Sequence, residues 1–427
     1  MSSFKNITKF TIHSNYSGSL NLMGERSFTH VLLYQSLLDH TVRASFRIAD
    51  TGFRSATSRE GVNLEEEDDL KITVGEKVEL TMKDYYDNVL ENTLSIEEIN
   101  SSSTTTLNEM FDINLCHDDF IKNEMEKHYV VRRYEGKISE TVRKILKDVL
   151  QTTQDIDIDP TRNTLPILGK SDNPLNFCAL LAPKSIPEKF PDLSGYFFFN
   201  TCIGYKFKSI DVLFSQEPKR NMIYNQTTSM PPGYTNKILK VSFSNNMNII
   251  DKIKVGTLSK SRLRTFDNFR HEYTTGLWDS DDTYKVKNNA ALEKPKVAAH
   301  LNVEEESTKI VNQFYNTGVL PPGSNLQSQL DFAKEPTFNI EEIVRKSIAR
   351  YNQAFLYRAT ITILGDFDIY PGDIIKCTFP EISSKDLNKV KSRKKSGKYL
   401  VVDVSHLINA EHCYTKLNII RDTIIEK

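Results

Sequence analysis

Apolar and polar residues alternate most regularly near the end of the chain. There Tyr399, Val401, Asp403 and Ser405 interleave with Leu400, Val402, Val404 and His406, which predicts a strand with one mostly apolar face. YTKLNIIRD (Tyr414 to Asp422) predicts a last strand, and GDFDIYPGDIIKC (Gly365 to Cys377) places a Pro-Gly turn between apolar runs. Pro371 presets φ and Gly372 tolerates positive φ, so the chain reverses between Ile369 and Ile374. Together these segments predict a small antiparallel barrel. Just upstream, Tyr357, Ala359, Ile361 and Ile363 alternate with Arg358, Thr360 and Thr362 in a half-buried strand.

The chain up to residue 134 is also β-rich. VRASFRIADTG (Val42 to Gly52) alternates well and ends in a turn signal, while DLKITVGEKVELTM (Asp69 to Met82) gives two alternating runs about Gly75. The Ser/Thr run from Ser101 to Thr106 predicts a loop before a strand at Phe111 to Leu115. From Gly136 the period changes. Ile138, Val142, Ile145, Leu146 and Val149 follow helical spacing with Ser139 as the candidate cap, and a second helix starts after Pro174. SGYFFFNTCIGYKFKSIDVLF (Ser194 to Phe214) predicts an aromatic hairpin turning near Cys202 to Gly204, its aromatics serving as core and sheet face.

From Asp251 to Pro336 the pattern is least regular, and it ends in the loop signal Pro321-Pro322-Gly323. A helix follows, with Asn339 and Glu342 as a capping box. Ile340, Ile343, Val344, Ile348, Tyr351 and Phe355 make its buried stripe, and Arg345, Lys346 and Arg350 lie mostly outside it. The two β-rich ends around a mixed middle are candidates for two copies of one barrel.

Composition narrows the reading without naming a partner. The 427 residues suffice for two or three domains, and a net charge of -1 with 39% hydrophobic and 26% charged residues gives no global pull toward nucleic acid or membrane. No apolar run approaches the roughly 18 residues of a membrane span, and MSSFKNITKF lacks a secretory core. Five cysteines without a C-x-x-C pair, among them Cys178, Cys202 and Cys377 in apolar segments, predict reduced core residues. The acidic run Glu65 to Asp69 predicts a solvated loop.

Several motifs suggest chemistry and then fail. Gly169-Lys170-Ser171 ends like a phosphate loop, yet Thr164 stands where its first Gly belongs. Asp155, Asp157 and Asp159 have calcium-loop spacing, but Pro160 replaces the Gly and Pro166 the bidentate Glu. Asp366, Asp368 and Asp373 surround a Pro-Gly turn, where Asp is an expected turn-former. His406 has no local Cys or Ser partner and lies across the strand from Asp403, a poor arrangement for a general base. No catalytic, cofactor or metal residues are assigned.

The pattern Gly365, Phe367, Pro371, Gly372, then a variable loop, then Tyr399, Val401, Val404 and His406 resembles the baseplate hub subunits of T-even-like contractile-tailed bacteriophages, which are related to type VI secretion spikes and phage late-control proteins. The order of the middle segment agrees: helix from Ile138, helix from Asn173 to Ala182, hairpin Tyr196 to Phe207, then Gln216-Glu217-Pro218. The loop from Glu381 to Lys395 is longer and more basic than that family's. The resemblance implies an α+β chain in which two similar antiparallel tube-type β-barrels flank a mixed α/β middle domain with an elaborated insertion. The expected division is a first barrel over 1–134, a middle domain over 135–215, a second barrel from 216–250 and 338–427, and an insertion over 251–337 associated with the middle domain.

The function so implied is structural and non-enzymatic. A homotrimeric ring of pseudo-sixfold symmetry would adapt the sixfold tail tube to the threefold cell-puncturing spike and leave a channel for DNA. The implied partners are further copies of the chain, a central spike protein, tube or tube-initiator proteins and baseplate wedge proteins, with DNA only in passage, no membrane anchor and no cofactor. The implied location is the tail baseplate of a virion assembled in the host cytoplasm. The spike trunk of a secretion or prophage injection system and a tail-associated peptidoglycan hydrolase are the alternatives, although no carboxylate constellation for glycoside hydrolysis is recognisable.

Overall fold

The computed structural model describes residues 6–422, except 16–17, 26–27, 51–71, 105–108, 226–229, 246–249, 251–259, 268–271, 279–306, 316–323, 334–339, 381–391, 393–394 and 410. The acidic run at Glu65, the Pro321 loop signal, Asn339 and nearly all of the basic 381–395 loop lie outside these residues.

The first part contains β1 (Ile7–His13), β2 (Ser19–Asn21), short α1 (Leu22–Glu25), β3 (Phe28–Ser36), β4 (Arg43–Asp50), β5 (Lys77–Lys83), β6 (Val89–Thr104) and β7 (Glu109–Cys116). Their hydrogen-bonded order is β3-β4-β7-β6-β5-β1-β2. A flat sheet would hold β1 about 24 Å from β3, five strand spacings away. Instead the Phe10 ring on β1 lies 5.0 Å from Phe28 on β3 and 4.8 Å from Phe46 on β4. The sheet is therefore rolled around one core. The expected loop at Ser101 is not there: Ser101–Thr104 continue β6, because their backbone pairs with β7 across a second register shift.

Next come α2 (Asp118–Asn123), β8 (Arg133–Tyr134), α3 (Ile138–Lys144), β9 (Asp155–Ile158), β10 (Ile167–Leu168), α4 (Pro174–Leu181), β11 (Tyr196–Thr201), β12 (Gly204–Ser209) and α5 (Ile210–Phe214). The hairpin forms as its aromatics predict. Tyr196, Phe198, Tyr205 and Phe207 pack toward α3 and α4, while Phe197 and Phe199 bury on the opposite face. Ser139 is not the cap of α3. Lys137 occupies that position, and Thr161 from a distant loop accepts the Ser139 N–H through its Oγ1 at 3.0 Å. After Lys144 the helix widens into a π turn over Ile145–Val149, closed by Leu150 N–H to the Ile145 carbonyl at 3.0 Å.

The last part holds β13 (Arg220–Ile223), β14 (Asn236–Asn245), β15 (Lys260–Asp267), β16 (Glu272–Trp278), β17 (Ser307–Tyr315), α6 (Leu326–Ala333), α7 (Ile340–Ala354), β18 (Tyr357–Leu364), β19 (Ile374–Thr378), β20 (Gly397–Asn409) and β21 (Cys413–Arg421). The stretch read as irregular contains a sheet of order β16-β15-β17. The apolar residues of β16 and β17 fall mostly in adjacent pairs, Leu277-Trp278, Ile310-Val311 and Phe314-Tyr315, so no period of two betrays the strands. Six strands close a barrel in the order β19-β13-β14-β18-β21-β20, with β20 pairing back to β19.

Two predictions fail at α7 and β20 for identifiable reasons. Ile348 is exposed and Arg350 is buried, because Arg350 donates to Asp211 on α5 and to Asp422, both at 2.9 Å. In β20 both faces are buried from Tyr399 to Val402, and a register shift between Val401 and Asp403 brings Val404 into the same core as Val401. Leu400 and Val402 instead join the core beneath Phe197 and Phe199.

The rolled sheet and the closed barrel share a strand permutation. Taken in chain order, β1, β3, β4, β5, β6, β7 and β13, β14, β18, β19, β20, β21 both run second-third-sixth-fifth-fourth-first around the sheet. The fifth strand carries a register shift at the same place in each, Ile96/Glu98 in β6 and Val401/Asp403 in β20. They differ at the first strand, antiparallel to its neighbour in β1–β5 and parallel in β13–β19. Among the described residues, only the second unit has a closed ring of hydrogen bonds, through β13 and β14.

Candidate functional site

One strand joins the two units. Residues Gly397 to Leu400 of β20 pair with β19, whereas Asp403 to Asn409 pair with β3, Asp403 opposite Ser36 and Asn409 opposite His30. Around this shared strand lie the residues that the sequence singles out.

Pro371 and Gly372 form the turn expected of them. Asp373 N–H donates to the Tyr370 carbonyl at 3.1 Å, and Gly372 has φ +92°, the positive value a type II turn requires at that position. The turn is stitched to β20: Gly372 N–H donates to the Val401 carbonyl at 2.8 Å and Val401 N–H to the Asp373 carbonyl at 2.9 Å. The first unit repeats the arrangement, Gly75 to Ile96 at 2.8 Å and Ile96 to Glu76 at 2.9 Å, with Gly75 at φ +83°. Tyr399, Val401 and Val404 then fill the closed barrel.

Gly365, Phe367 and His406 belong to a second group that faces the other unit. Gly365 N–H donates to the Cys413 carbonyl at 2.9 Å, and a Cβ at Gly365 would run into the Cys413 Sγ. Phe367 packs into the core of the rolled sheet. Its ring meets His406 edge-on, and His406 Nδ1 shares a hydrogen bond with Thr415 Oγ1 at 2.9 Å. Burial pushes the imidazole down to about 4, against an opposing pull from Asp366. His406 Nε2 has no hydrogen-bond partner among the described residues. The eight residues are thus split between two faces of the seam.

A polar network missed in the sequence crosses the same seam. From the β5–β6 turn, Asp84 accepts the N–H of Tyr86 at 2.8 Å and Asn88 at 2.9 Å through Oδ1, and the Phe367 N–H at 2.7 Å through Oδ2. Tyr86 OH donates to Asn236 Oδ1 at 2.8 Å, and Asn236 Nδ2 donates to Asp366 Oδ2 at 2.9 Å. Arg220 completes it, Nε to Asp366 at 3.0 Å and Nη2 to Asp368 at 2.8 Å, with Lys219 Nζ 3.0 Å from Asp368 Oδ1. Burial disfavours the Arg220 charge, but the two carboxylates outweigh it and hold its pKa above the usual value. Asp366 is therefore more than a turn-former: it is fully buried and paired. The turn-like DNV after Tyr86 hints at Asp84's role, whereas nothing local marks Arg220.

The remaining candidates are structural in their surroundings. Asp157 and Asp159 hold Lys208 Nζ at 2.6 and 2.9 Å. Cys178, Cys377, Cys116 and Cys413 are buried free thiols, and Cys202 is a half-buried one at the hairpin tip. Among the described residues no group of three or more His, Cys, Asp or Glu is placed to hold a metal ion, and no helix is long and apolar enough to cross a membrane. What this arrangement can do is fix two β units rigidly to one another.

No protein-family model matches the sequence, and no curated protein matches it. Among solved structures, a tail protein from Neisseria meningitidis MC58 aligns over 98% of this chain and 97% of its own, with 10% identity and a TM-score of 0.48. A type VI secretion component from E. coli aligns over 98% and 79%, with 9% identity and a TM-score of 0.45. The 43 kDa tail protein of prophage MuSo2 from Shewanella oneidensis aligns over 98% of this chain and 100% of its own at 7% identity and a TM-score of 0.50, so the two units and their shared strand form the fold of a phage tail protein.

Proposed function

We propose that this chain is a structural baseplate hub subunit of a contractile tail, without catalytic activity. Three copies would form a ring that adapts a sixfold tail tube to a threefold spike and leaves an axial channel through which DNA passes. The observation that carries this reading is the repeated strand permutation, with matching register shifts and matching Gly75–Ile96 and Gly372–Val401 stitches within one chain. Two like units per chain give three chains six like positions, which is what a junction between sixfold and threefold partners needs. The shared fold with a prophage tail protein supports it.

On this reading 1–134 is the first tube unit, 216–250 with 338–427 the second, 135–215 the domain between them, and 251–337 an insertion. Gly365, Phe367, Pro371, Gly372, Tyr399, Val401, Val404 and His406 are structural residues of the seam. The partners are the spike, tube and wedge proteins of a virion tail. Mass measurement in solution and a low-resolution image of the purified protein test the proposal. A threefold ring with a central hole is expected; a strict monomer that ignores its cognate spike overturns it. Clearing of a cell-wall suspension by the isolated chain would overturn the non-catalytic part.

A further inference from the structure

The internal seam leaves a matching pair of edges open. Within the chain, the distal half of a fifth strand (β20) pairs with the free side of a second strand (β3). The corresponding fifth strand of the first unit is β6, and the corresponding second strand of the second unit is β14. β5 pairs with β6 only as far as Ser95, so Glu98, Ile99 and Asn100 have no strand on that side among the described residues. β13 reaches β14 only at Asn236 and Lys237, so Ile238 to Ser244 have no strand on that side either, among the same residues.

Burial follows the same division. At the occupied junction Val404 and Leu33 are 0% exposed and Val31 1%. Their counterparts Ile99, Phe243 and Val241 are only half-buried. Long open edges with apolar residues behind them invite strand addition, which folded proteins otherwise block.

We infer that the β6 edge of one copy pairs antiparallel with the β14 edge of the next, repeating between chains the β20–β3 junction inside each. The register follows from the ladders. Glu98, Asn114, Ser45 and Leu32 form one row across the first unit, and Asp403, Asn418, Thr360 and Ser242 form the equivalent row across the second. Inside the chain Ser405 stands opposite Tyr34. Between chains Asn100 therefore stands opposite Ser244. The two edges differ, so the contact is head-to-tail and generates a ring or an open filament. That the ring closes at three rests on the hub reading above.

Cysteine pairing tests the register in the full-length protein. Paired antiparallel residues have Cα atoms about 4.5 to 5.5 Å apart, within disulfide range. Asn100→Cys combined with Ser244→Cys should give, on mild oxidation, covalent oligomers up to three chains that thiol reductant reverses. The two single variants, the parent protein and the displaced pair Asn100→Cys with Lys240→Cys should stay unlinked. Amide hydrogen exchange of the parent, independent of any substitution, should show slow exchange at Ile99, Asn100 and Val241 to Ser244. A trimer by mass that links only in the displaced pair, or exchanges fast at both edges, overturns this inference and leaves the hub reading standing. A monomer by mass with no linkage overturns both.

Discussion

Phe367 stands edge-on to His406, ring centroids 4.8 Å apart, with both side chains shut away from solvent. The pair sits where β20 crosses from one unit to the other, so the protonation state of His406 bears on the seam. Its pKa falls from the ordinary 6.5 to about 4 through burial. Between those values the unfolded chain binds the proton and the folded chain does not. Stability is therefore fully present above about pH 6.5 and falls toward pH 4, by on the order of 3 kcal/mol. His406→Gln should flatten the change in denaturation midpoint across that window; an unchanged slope means that other groups govern it.

Arg350 should be the least replaceable charge in the protein. It is buried between Asp211 and Asp422, tying α5, α7 and the end of β21 together. Burial raises the Asp211 pKa even with the Arg350 charge beside it. Arg350→Ala would leave two buried carboxylates without their counterion and should cost about 3 to 5 kcal/mol in urea unfolding. A loss below about 1 kcal/mol, the scale of an exposed pair, would show that the pair is solvated.

The turn glycines separate backbone strain from crowding. Gly75 and Gly372 both have positive φ, but a Cβ at Gly75 meets nothing within 4 Å, while one at Gly372 meets Phe199 at 3.2 Å and Leu213 at 3.3 Å. Gly75→Ala should cost about 1 kcal/mol from conformation alone, and Gly372→Ala roughly 2 to 3 kcal/mol. Equal losses on thermal unfolding would remove the packing contribution.

Asp84 makes the sharpest test of coupling across the seam. Asp84→Ala would strip acceptors from the Tyr86, Asn88 and Phe367 N–H groups, at a cost of about 1 to 3 kcal/mol for the buried ones. A double-mutant cycle of Tyr86→Phe with Asn236→Ala, which removes the side-chain bond from Tyr86 OH to Asn236 Oδ1 across the same seam, should give a non-zero interaction. Additive losses would argue that the turn and the seam are independent.

Regular alternation made β5, β18 and β21 legible in the sequence, and the positive-φ turn at Gly372 was legible from Pro-Gly alone. β20 was legible as a strand but not in its faces, because both are covered over Tyr399 to Val402 and a register shift then changes which residues face inward. Arg350 was misplaced for a related reason: helical period assigns a face, but only the fold supplies Asp211 and Asp422. The sheet of β15, β16 and β17 was not legible because the apolar residues of β16 and β17 mostly stand in adjacent pairs and do not alternate with polar ones. At the seam the sequence marked Phe367 and His406, whereas Asp84, Arg220 and Asn236 reach it from distant segments, Asp84 lying 283 residues from the Phe367 whose N–H it accepts.

The shared strand also has a mechanical meaning. Since β20 belongs to the closed barrel by one half and to the rolled sheet by the other, no flexible linker lies between the units at this point. Pulling them apart must peel the Asp403–Asn409 ladder off β3 while the continuous backbone of β20 carries the load, so the chain should respond to tension as one stiff plate with no hinge along that line.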